Sequence, residues 1–224
     1  MIELSGVRHR YQDREVLGGI DLRLTERRIG VVGLNGSGKS TFARLLNGLL
    51  IPSAGTVTVD GLDTRRDGPK VRRRVGFVFQ DPDVQIVMPT VAEDVAFGLR
   101  GLPKPEVNAK VKAALAEYGL SGYEDHAAHL LSGGQKQMLA MASITVLNPS
   151  TIVFDEPTTL LDLRNRQRIA DRIKTMPQDA IVISHDLDLL ADFDRVLVIH
   201  EGKIVADCLP EAAIEKYVAI AETT

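Results

Sequence analysis

The stretch Gly33-Leu34-Asn35-Gly36-Ser37-Gly38-Lys39-Ser40 decides the fold. It matches the pattern G-x-x-x-x-G-K-[ST], in which glycines let the backbone wrap so that several N–H groups converge on phosphates. The preceding residues, Arg28 to Val32, form a short apolar run typical of a strand, and Thr41 to Leu50 carry apolar side chains at helical spacing. Strand, glycine-rich loop and helix in this order predict a phosphate-binding loop in an α/β protein.

The side chains of this loop have distinct roles if it holds a nucleoside triphosphate. Lys39 would place its charge at the β and γ phosphate oxygens, and the Ser40 hydroxyl would ligate Mg²⁺. A glycine-rich turn that only caps a helix is the structural alternative, and a phosphate loop alone does not separate kinases, GTPases, helicases and transporters. The predicted ATP-binding residues of this segment are Asn35, Gly36, Ser37, Gly38, Lys39, Ser40 and Thr41.

Composition and charge exclude several classes of function. With 224 residues, 44% of them hydrophobic and 25% charged, the chain has the balance of a soluble single-domain protein. A net charge of -3 provides no broad basic surface for nucleic acid. No signal peptide is visible, no apolar run reaches the roughly 18 residues of a membrane span, and the single Cys208 favours a cytosolic location. Work at a membrane would therefore require a partner.

Strand and helix patterns alternate along the chain. Apolar alternation predicts strands near residues 2–7 and 16–24, and residues 91–147 are mostly helical in pattern. Strands that alternate with helices, interrupted by a helical insert, predict a parallel α/β core with a helical subdomain. Further strand-like runs lie at 56–60, 75–79, 151–154, 180–184 and 195–199, and the last of these predicts a hairpin with 204–206.

Two adjacent acids follow one of these apolar strands. Asp155 and Glu156 come directly after Thr151 to Phe154. Mg²⁺ prefers oxygen ligands, so Asp155 suits the metal, directly or through water. Glu156 can then orient and deprotonate the attacking water. The structural alternative is a strand that ends in a polar turn before Pro157.

A second candidate phosphate-binding element is Leu131-Ser132-Gly133-Gly134-Gln135, which opens a helical run. Ser132 is a good N-cap, and the two glycines permit close approach of the backbone to an anion at a helix N-terminus. A capped helix without a ligand is the structural alternative.

Together these motifs resemble the nucleotide-binding subunits of ABC transporters over nearly the whole chain. In that family the signature, here Leu131 to Gln135, reaches across a dimer to the γ-phosphate. Gln80 matches the Q-loop glutamine that contacts Mg²⁺ and water, and His185 matches the switch histidine at the γ-phosphate. Asp162 matches the D-loop aspartate at the dimer interface, and Tyr11 lies where an aromatic ring stacks on adenine.

The resemblance implies an α/β P-loop NTPase with a RecA-like parallel sheet core, an antiparallel β subdomain and a helical signature subdomain. It implies a single domain over 1–224, with the core in 1–85 and 148–224 and the helical part near 86–147. The implied catalytic residues are Glu156, His185 and Gln80, and the implied Mg²⁺ ligands are Ser40, Gln80 and Asp155. Two copies would clamp two ATP molecules, each between the phosphate loop of one copy and the signature and D-loop residues Ser132, Gly133, Gly134, Gln135 and Asp162 of the other.

Some positions depart from the family's usual pattern. Leu160 stands in the D-loop where Ala or Gly is usual, and Met138 and Ser143 occupy positions that are more often Arg. None of these departures removes a group needed for hydrolysis. They place the fine geometry of the dimer interface in question.

The segment after Gln80 resembles one branch, the ATPases of energy-coupling factor (ECF) importers of vitamins and transition-metal ions. Its apolar and acidic residues suit a groove for an amphipathic basic helix of a membrane partner. The resemblance implies a transmembrane scaffold (T) subunit and a substrate-binding membrane (S) subunit as partners, and a peripheral place on the cytoplasmic face of the membrane. Biotin is the expected cargo, with cobalt or nickel as the alternative. The candidate groove residues are Asp81, Asp83, Val84, Ile86 and Met88, with Glu93 and Asp94 as further acids.

A soluble ABC ATPase that acts on DNA or ribosomes is the competing class. Only about fifty residues separate Gln80 from Leu131, too few for a long coiled coil, and the chain has a single cassette. A basic cluster between Arg65 and Arg74 favours a solvated face or lipid headgroups over nucleic acid. We therefore expect no nucleic-acid partner.

Overall fold

Two sheets form the frame of the molecule. The computed structural model describes residues 1–159 and 161–223. One sheet is antiparallel and has the order β2-β1-β4-β5, formed by β1 (Ile2–Tyr11), β2 (Arg14–Leu24), β4 (Ala54–Val59) and β5 (Leu62–Asp63). The other has the order β10-β9-β3-β8-β7-β6 and comprises β3 (Arg28–Val32), β6 (Val75–Val78), β7 (Thr151–Asp155), β8 (Asp179–Ile183), β9 (Arg195–His200) and β10 (Lys203–Cys208).

Strands β3, β6, β7, β8 and β9 run parallel, and β10 closes the edge as an antiparallel hairpin with β9. The predicted α/β class, with a parallel core and a second antiparallel sheet, is confirmed. The helices are α1 (Lys39–Leu46), α2 (Gly68–Arg74), α3 (Val91–Phe97), α4 (Lys104–Glu117), α5 (Gly133–Thr145), α6 (Leu163–Thr175), α7 (Leu187–Leu190) and α8 (Pro210–Thr223). Short 3₁₀ turns occupy Pro82–Val84 and Ala128–Leu130.

The first helix is shorter than its apolar spacing predicts. We expected it to continue to Leu50, but α1 ends at Leu46. Gly48 adopts a φ of +70°, and the N–H of Leu50 donates to the carbonyl of Arg44, so the chain turns away from the helix axis. The apolar side chains after Leu46 therefore belong to a turn.

Two hydrophobic clusters hold the strand ends in place. One lies between the two sheets around α1, with Phe42 fully buried, and the other packs α3 to α6 and α8 on the opposite face of the parallel sheet, with Phe154 fully buried. The carboxyl ends of parallel strands meet at one edge of a sheet. Adjacent strands β3, β8, β7 and β6 therefore deliver the segments that follow them to a common place.

No helix among residues 1–159 and 161–223 is long and apolar enough to cross a membrane.

Candidate functional site

The loop between β3 and α1 lines a cavity of about 520 Å³ at this edge of the sheet. Gly38 is the N-cap of α1 with a φ of +105°, a conformation that favours glycine, and a Cβ there would meet the Leu17 side chain at 2.8 Å. Ser37, another residue of this loop, is buried and lines a neighbouring cavity of about 400 Å³. The other residues that line the cavity include Asn35, Gly36, Lys39, Ser40, Thr41, Gln80, Glu156, Thr159 and His185.

Lys39 is buried at the base of this cavity. Its Nζ donates to the carbonyl oxygens of Gly33 at 2.7 Å and Leu34 at 3.0 Å. Burial lowers the pKa of Lys39, although the negative charges of Glu156 and Asp155 act in the opposite direction. A buried ammonium group whose hydrogen bonds go to main-chain carbonyls of the loop is suited to bind an anion such as a phosphate.

Ser40 and Asp155 meet although 115 residues separate them. The Ser40 hydroxyl donates to Asp155 Oδ1 at 3.0 Å, and burial raises the pKa of the Asp155 carboxyl. Gln80 lines the same cavity and adds an amide oxygen. A hydroxyl, a carboxylate and an amide are oxygen donors, the type that Mg²⁺ prefers, so these residues fit the ion that phosphoryl-transfer sites use.

Glu156 is 7% exposed and directed into the cavity by its backbone. It adopts a φ of +52°, uncommon for a residue with a side chain, and its N–H donates to Ile183 O of the neighbouring strand β8 at 2.9 Å. The N–H of His185 approaches Glu156 Oε2 at 3.3 Å, and the Thr159 hydroxyl approaches it at 3.4 Å. Strain of this kind is concentrated at functional sites.

His185 follows β8 and faces two different groups. Its Nε2 lies 3.1 Å from Glu156 Oε1, at ion-pair distance but outside hydrogen-bonding geometry. Its Nδ1 lies 3.4 Å from the Oη of Tyr217 in helix α8. The ring is thus placed between the cavity and the last helix of the chain.

Gln80 is positioned by the backbone that precedes it. The N–H of Phe79 donates to Gln85 Oε1 at 3.1 Å, and Gln137 Nε2 donates to Phe79 O at 3.4 Å. Gln85 Nε2 also donates to Ala140 O of helix α5 at 3.0 Å. Gln85 and Gln137 were not among the predicted site residues, and their amides link the Gln80 loop to the helical segment.

Tyr11 lies at the end of β1, 45% exposed, with its ring edge-on to that of His9 at 4.8 Å between centroids. Among the described residues that line the 520 Å³ cavity, Arg14 and Val16 take part and Tyr11 does not. Arg14 is paired with Tyr11 across the β1–β2 hairpin and also lines a neighbouring cavity of about 400 Å³. Adenine stacking by Tyr11 stays a prediction. Arg14 follows Tyr11 closely in the sequence and pairs with it across the hairpin, and this closeness is the signal that could have identified Arg14.

The predicted signature residues lie outside the cavity within one copy. Ser132 caps α5 in a reciprocal pair with Gln135, as its N-cap character predicts. None of the described residues that line the cavity belongs to 132–135, and Asp162 is also absent from its lining. Asp162 caps α6 and accepts from the side chain of Asn165. Leu160, the departure noted in the D-loop, lies outside the described residues.

The comparison with protein families identifies the family of this chain. Residues 17–159, well over half of the chain, match the family model described as ABC transporter. The chain belongs to the ABC transporter family. It is an ABC ATP-binding domain, and its activity is ATP hydrolysis coupled to transport.

Individual relatives cover almost the whole of this ABC domain. A protein from Deinococcus radiodurans, named only as an ABC transporter ATP-binding protein, is 60% identical over 219 residues, 97% of each chain. A biotin transport ATP-binding protein from Rhizobium etli is 49% identical over 210 residues, 93% of each chain. The solved structure of cbiO1 from Clostridium perfringens, part of the ABC transporter complex cbiONQ, has a TM-score of 0.84 at 33% identity and is covered to 93%, against 98% of this chain.

The segment after the Q-loop of this ABC domain is ordered by a buried acid. Asp94 is 5% exposed, and its carboxylate accepts from the N–H groups of Val87 and Met88 and from the Ser143 hydroxyl at 2.8 Å. The expectation that Asp94 belongs to an acidic rim is therefore wrong. The same contact explains why Ser143 stands at a position that is more often Arg. Its hydroxyl donates to the buried carboxylate of Asp94 in the space between α3 and α5.

The other groove candidates differ in exposure. Val84 and Val87 are 64% and 62% exposed, whereas Ile86 and Met88 are half-buried. Asp81 caps the short turn that follows it, and exposed Asp83 pairs with Lys136 Nζ at 2.7 Å. The sequence does not predict a mostly apolar cavity of about 190 Å³ that Phe79 also lines. Its other apolar lining residues include Leu49, Phe77, Ile144, Leu147 and Pro149.

Proposed function

We propose that this ABC ATPase works as a homodimer that energises an ECF-type importer of biotin from the cytoplasmic face of the membrane. The observation that carries the proposal is the division of the site. One copy assembles the phosphate loop, Gln80, Glu156 and His185 around a single cavity, while the signature helix lies outside it. A signature from a second copy would complete the site.

The hydrolytic chemistry is assigned to Glu156. Its carboxylate lines the phosphate-loop cavity and is held by a backbone N–H and a hydroxyl. A carboxylate so placed can orient a water molecule and accept its proton. Ser40, Asp155 and Gln80 would hold Mg²⁺, which neutralises charge on the phosphates when bound.

ATP would close the dimer because contacts from the second copy's Ser132 to Gln135 exist only when the γ-phosphate is present. Hydrolysis removes that bridge, and the dimer reopens. His185, beside Glu156, would contact the γ-phosphate, and Tyr11 would stack on the adenine. Both assignments follow from the position of each residue in the family's pattern.

A membrane partner is supported by apolar surface around the Q-loop. Val84 and Val87 are exposed beside Asp81 and Asp83, which suits an amphipathic helix with a basic residue. Asp83 already pairs with Lys136, so an incoming arginine would share or displace that contact. We propose a transmembrane T subunit as this partner and an S subunit as the cargo-binding component.

The substrate assignment rests on the relative named as a biotin transport ATP-binding protein, which is 49% identical to this chain. The decisive experiment is co-purification of the tagged chain with its membrane partners from native membranes, followed by binding assays with biotin, Co²⁺ and Ni²⁺. Two integral membrane subunits and selective biotin binding are the expected result. Selective Co²⁺ or Ni²⁺ binding would replace biotin by a metal cargo, and recovery of no membrane protein would contradict the ECF assignment.

The role of Glu156 is tested with Glu156→Gln, which keeps the size of the side chain but removes the base. We expect turnover to fall about 10²- to 10⁴-fold and an ATP-bound dimer to accumulate, visible by light scattering. A variant with normal turnover would show that another group activates water.

A further inference from the structure

Helix α8 reaches the catalytic edge of the sheet from the C-terminal end of the chain. It packs against β9 and β10 through one face that carries Ala213, Tyr217 and Ile220. Ala213 is fully buried and Tyr217 is half-buried, so the phenol ring is held in a defined place. This face ends beside His185.

The imidazole of His185 lies between two oxygens of different character. On one side, Glu156 Oε1 is 3.1 Å from Nε2. On the other, the Tyr217 hydroxyl is 3.4 Å from Nδ1. The contact with Tyr217 has hydrogen-bonding geometry, whereas the contact with Glu156 is an ion-pair distance only.

A neutral imidazole has one ring nitrogen that donates through its N–H and one that accepts. The groups next to the ring determine which of the two nitrogens carries the proton. A carboxylate can only accept, so it favours the proton on Nε2. The remaining Nδ1 then needs a donor, and a phenol O–H supplies one. Burial and, secondarily, the charge of Glu156 raise the pKa of Tyr217, so the phenol keeps its proton.

We propose that Tyr217 is a positioning residue that donates to His185 Nδ1 and thereby holds the ring in the tautomer with its proton on Nε2. This inference rests on the proposed contact of His185 with the γ-phosphate. An Nε2–H directed into the cavity can donate to a phosphate oxygen, whereas the other tautomer would present a lone pair to an anion. The last helix of the chain thus contributes to the catalytic site through one hydroxyl.

The test reads the tautomer directly. In protein labelled with ¹⁵N-histidine, the two ring nitrogens have different chemical shifts in each tautomer, and a His185→Gln sample assigns the signal among the five histidines. At a pH of about 8, above the ordinary pKa range of histidine side chains, we expect His185 to carry its proton on Nε2 in the wild type. Tyr217→Phe, which removes only the hydroxyl, should give a mixture of tautomers. An unchanged ratio in Tyr217→Phe would overturn the inference.

The kinetics of ATP hydrolysis provide a second, independent measurement. Tyr217→Phe should lower kcat for ATP hydrolysis about two- to tenfold, the value of one hydrogen bond, with KM unchanged. Tyr123→Phe, which removes a phenol hydroxyl in the helical segment, is the matched control and should match the wild type. In a His185→Gln background, Tyr217→Phe should cause no further loss. An additional loss there would mean that Tyr217 acts independently of the histidine.

An error in the proposed role of His185 and an error in the proposed role of Tyr217 would give different results in these experiments. If His185→Gln alone kept the wild-type kcat, the assigned role of His185 would be wrong while the tautomer measurement would still report on Tyr217. If His185→Gln lost activity but Tyr217→Phe changed neither the tautomer nor kcat, the switch role would stand and the present inference would be rejected.

Discussion

At the scale of single residues, Asp155 has an environment that suits a metal ligand better than a free carboxylate. It is 3% exposed and accepts a hydrogen bond from Ser40, and burial raises its pKa. The folded protein therefore binds this proton more tightly than the unfolded chain does. As pH rises from the ordinary pKa of about 3.9 to the raised value, ionisation in the unfolded state lowers the stability of the nucleotide-free protein.

Removing the charge of Asp155 should have opposite effects on the stability of the free protein and on its binding of ATP with Mg²⁺. We predict that Asp155→Asn, measured by thermal unfolding in EDTA at pH 7, raises the free energy of unfolding by about 0.5–2 kcal/mol, because the amide still accepts from Ser40 without a buried charge. The same variant should lose the added stability that ATP and Mg²⁺ confer on the wild type. A lower melting temperature in EDTA would mean that the ionised carboxylate is stabilising in the free protein.

At the scale of elements, helices α5 and α6 approach each other at Gly134. A Cβ on Gly134 would lie 2.4 Å from Asn165 Cγ. The Asn165 side chain and backbone N–H both donate to the carboxylate of Asp162. The second glycine of the signature therefore has a packing role inside one copy, in addition to any contact with phosphate.

The neighbouring glycine provides a matched control for this contact. Gly134→Ala should lower the free energy of unfolding by about 1–3 kcal/mol, because Asn165 must move and its bonds to Asp162 are disturbed. Gly133→Ala should leave stability nearly unchanged, since its nearest neighbour would be Leu161 at 3.8 Å. Urea unfolding without nucleotide measures both. Equal effects of the two substitutions would argue that helix propensity, and not the contact with Asn165, determines the result.

The elements also show where prediction from sequence ends. The loop between β3 and α1, the β7 strand that ends at Asp155 and the cap at Ser132 are local patterns, and the structure has each of them where the sequence predicts it. The burial of Asp94 and the short α1 were missed, because apolar spacing and charge do not reveal which side chain turns inward. The contacts of Gln85 with Phe79 and of Tyr217 with His185 depend on how distant elements pack, which no local pattern encodes.

At the scale of the whole molecule, the signature residues around Gly133 lie outside the lining of the cavity around Lys39 within one copy. Two copies related by a twofold axis could place each signature over the other's phosphate loop, which gives two equal sites. This arrangement predicts complementation between two defective variants. Lys39→Met disables the phosphate loop but keeps the signature, whereas Gly133→Asp places a negative charge in the signature but keeps the phosphate loop.

Each variant alone should hydrolyse ATP very slowly, because every site in its homodimer contains the defect. A one-to-one mixture in excess ATP and Mg²⁺ should recover about a quarter of the wild-type rate, since half of the randomly formed dimers carry one intact site of two. Gly133 is exposed, a Cβ there would make only an ordinary contact with Leu161 at 3.8 Å, and an acid at a helix N-terminus is favourable, so the variant should fold. A mixture no faster than its components would place the complete site within one copy, because defects on different chains could then never be combined into a working site.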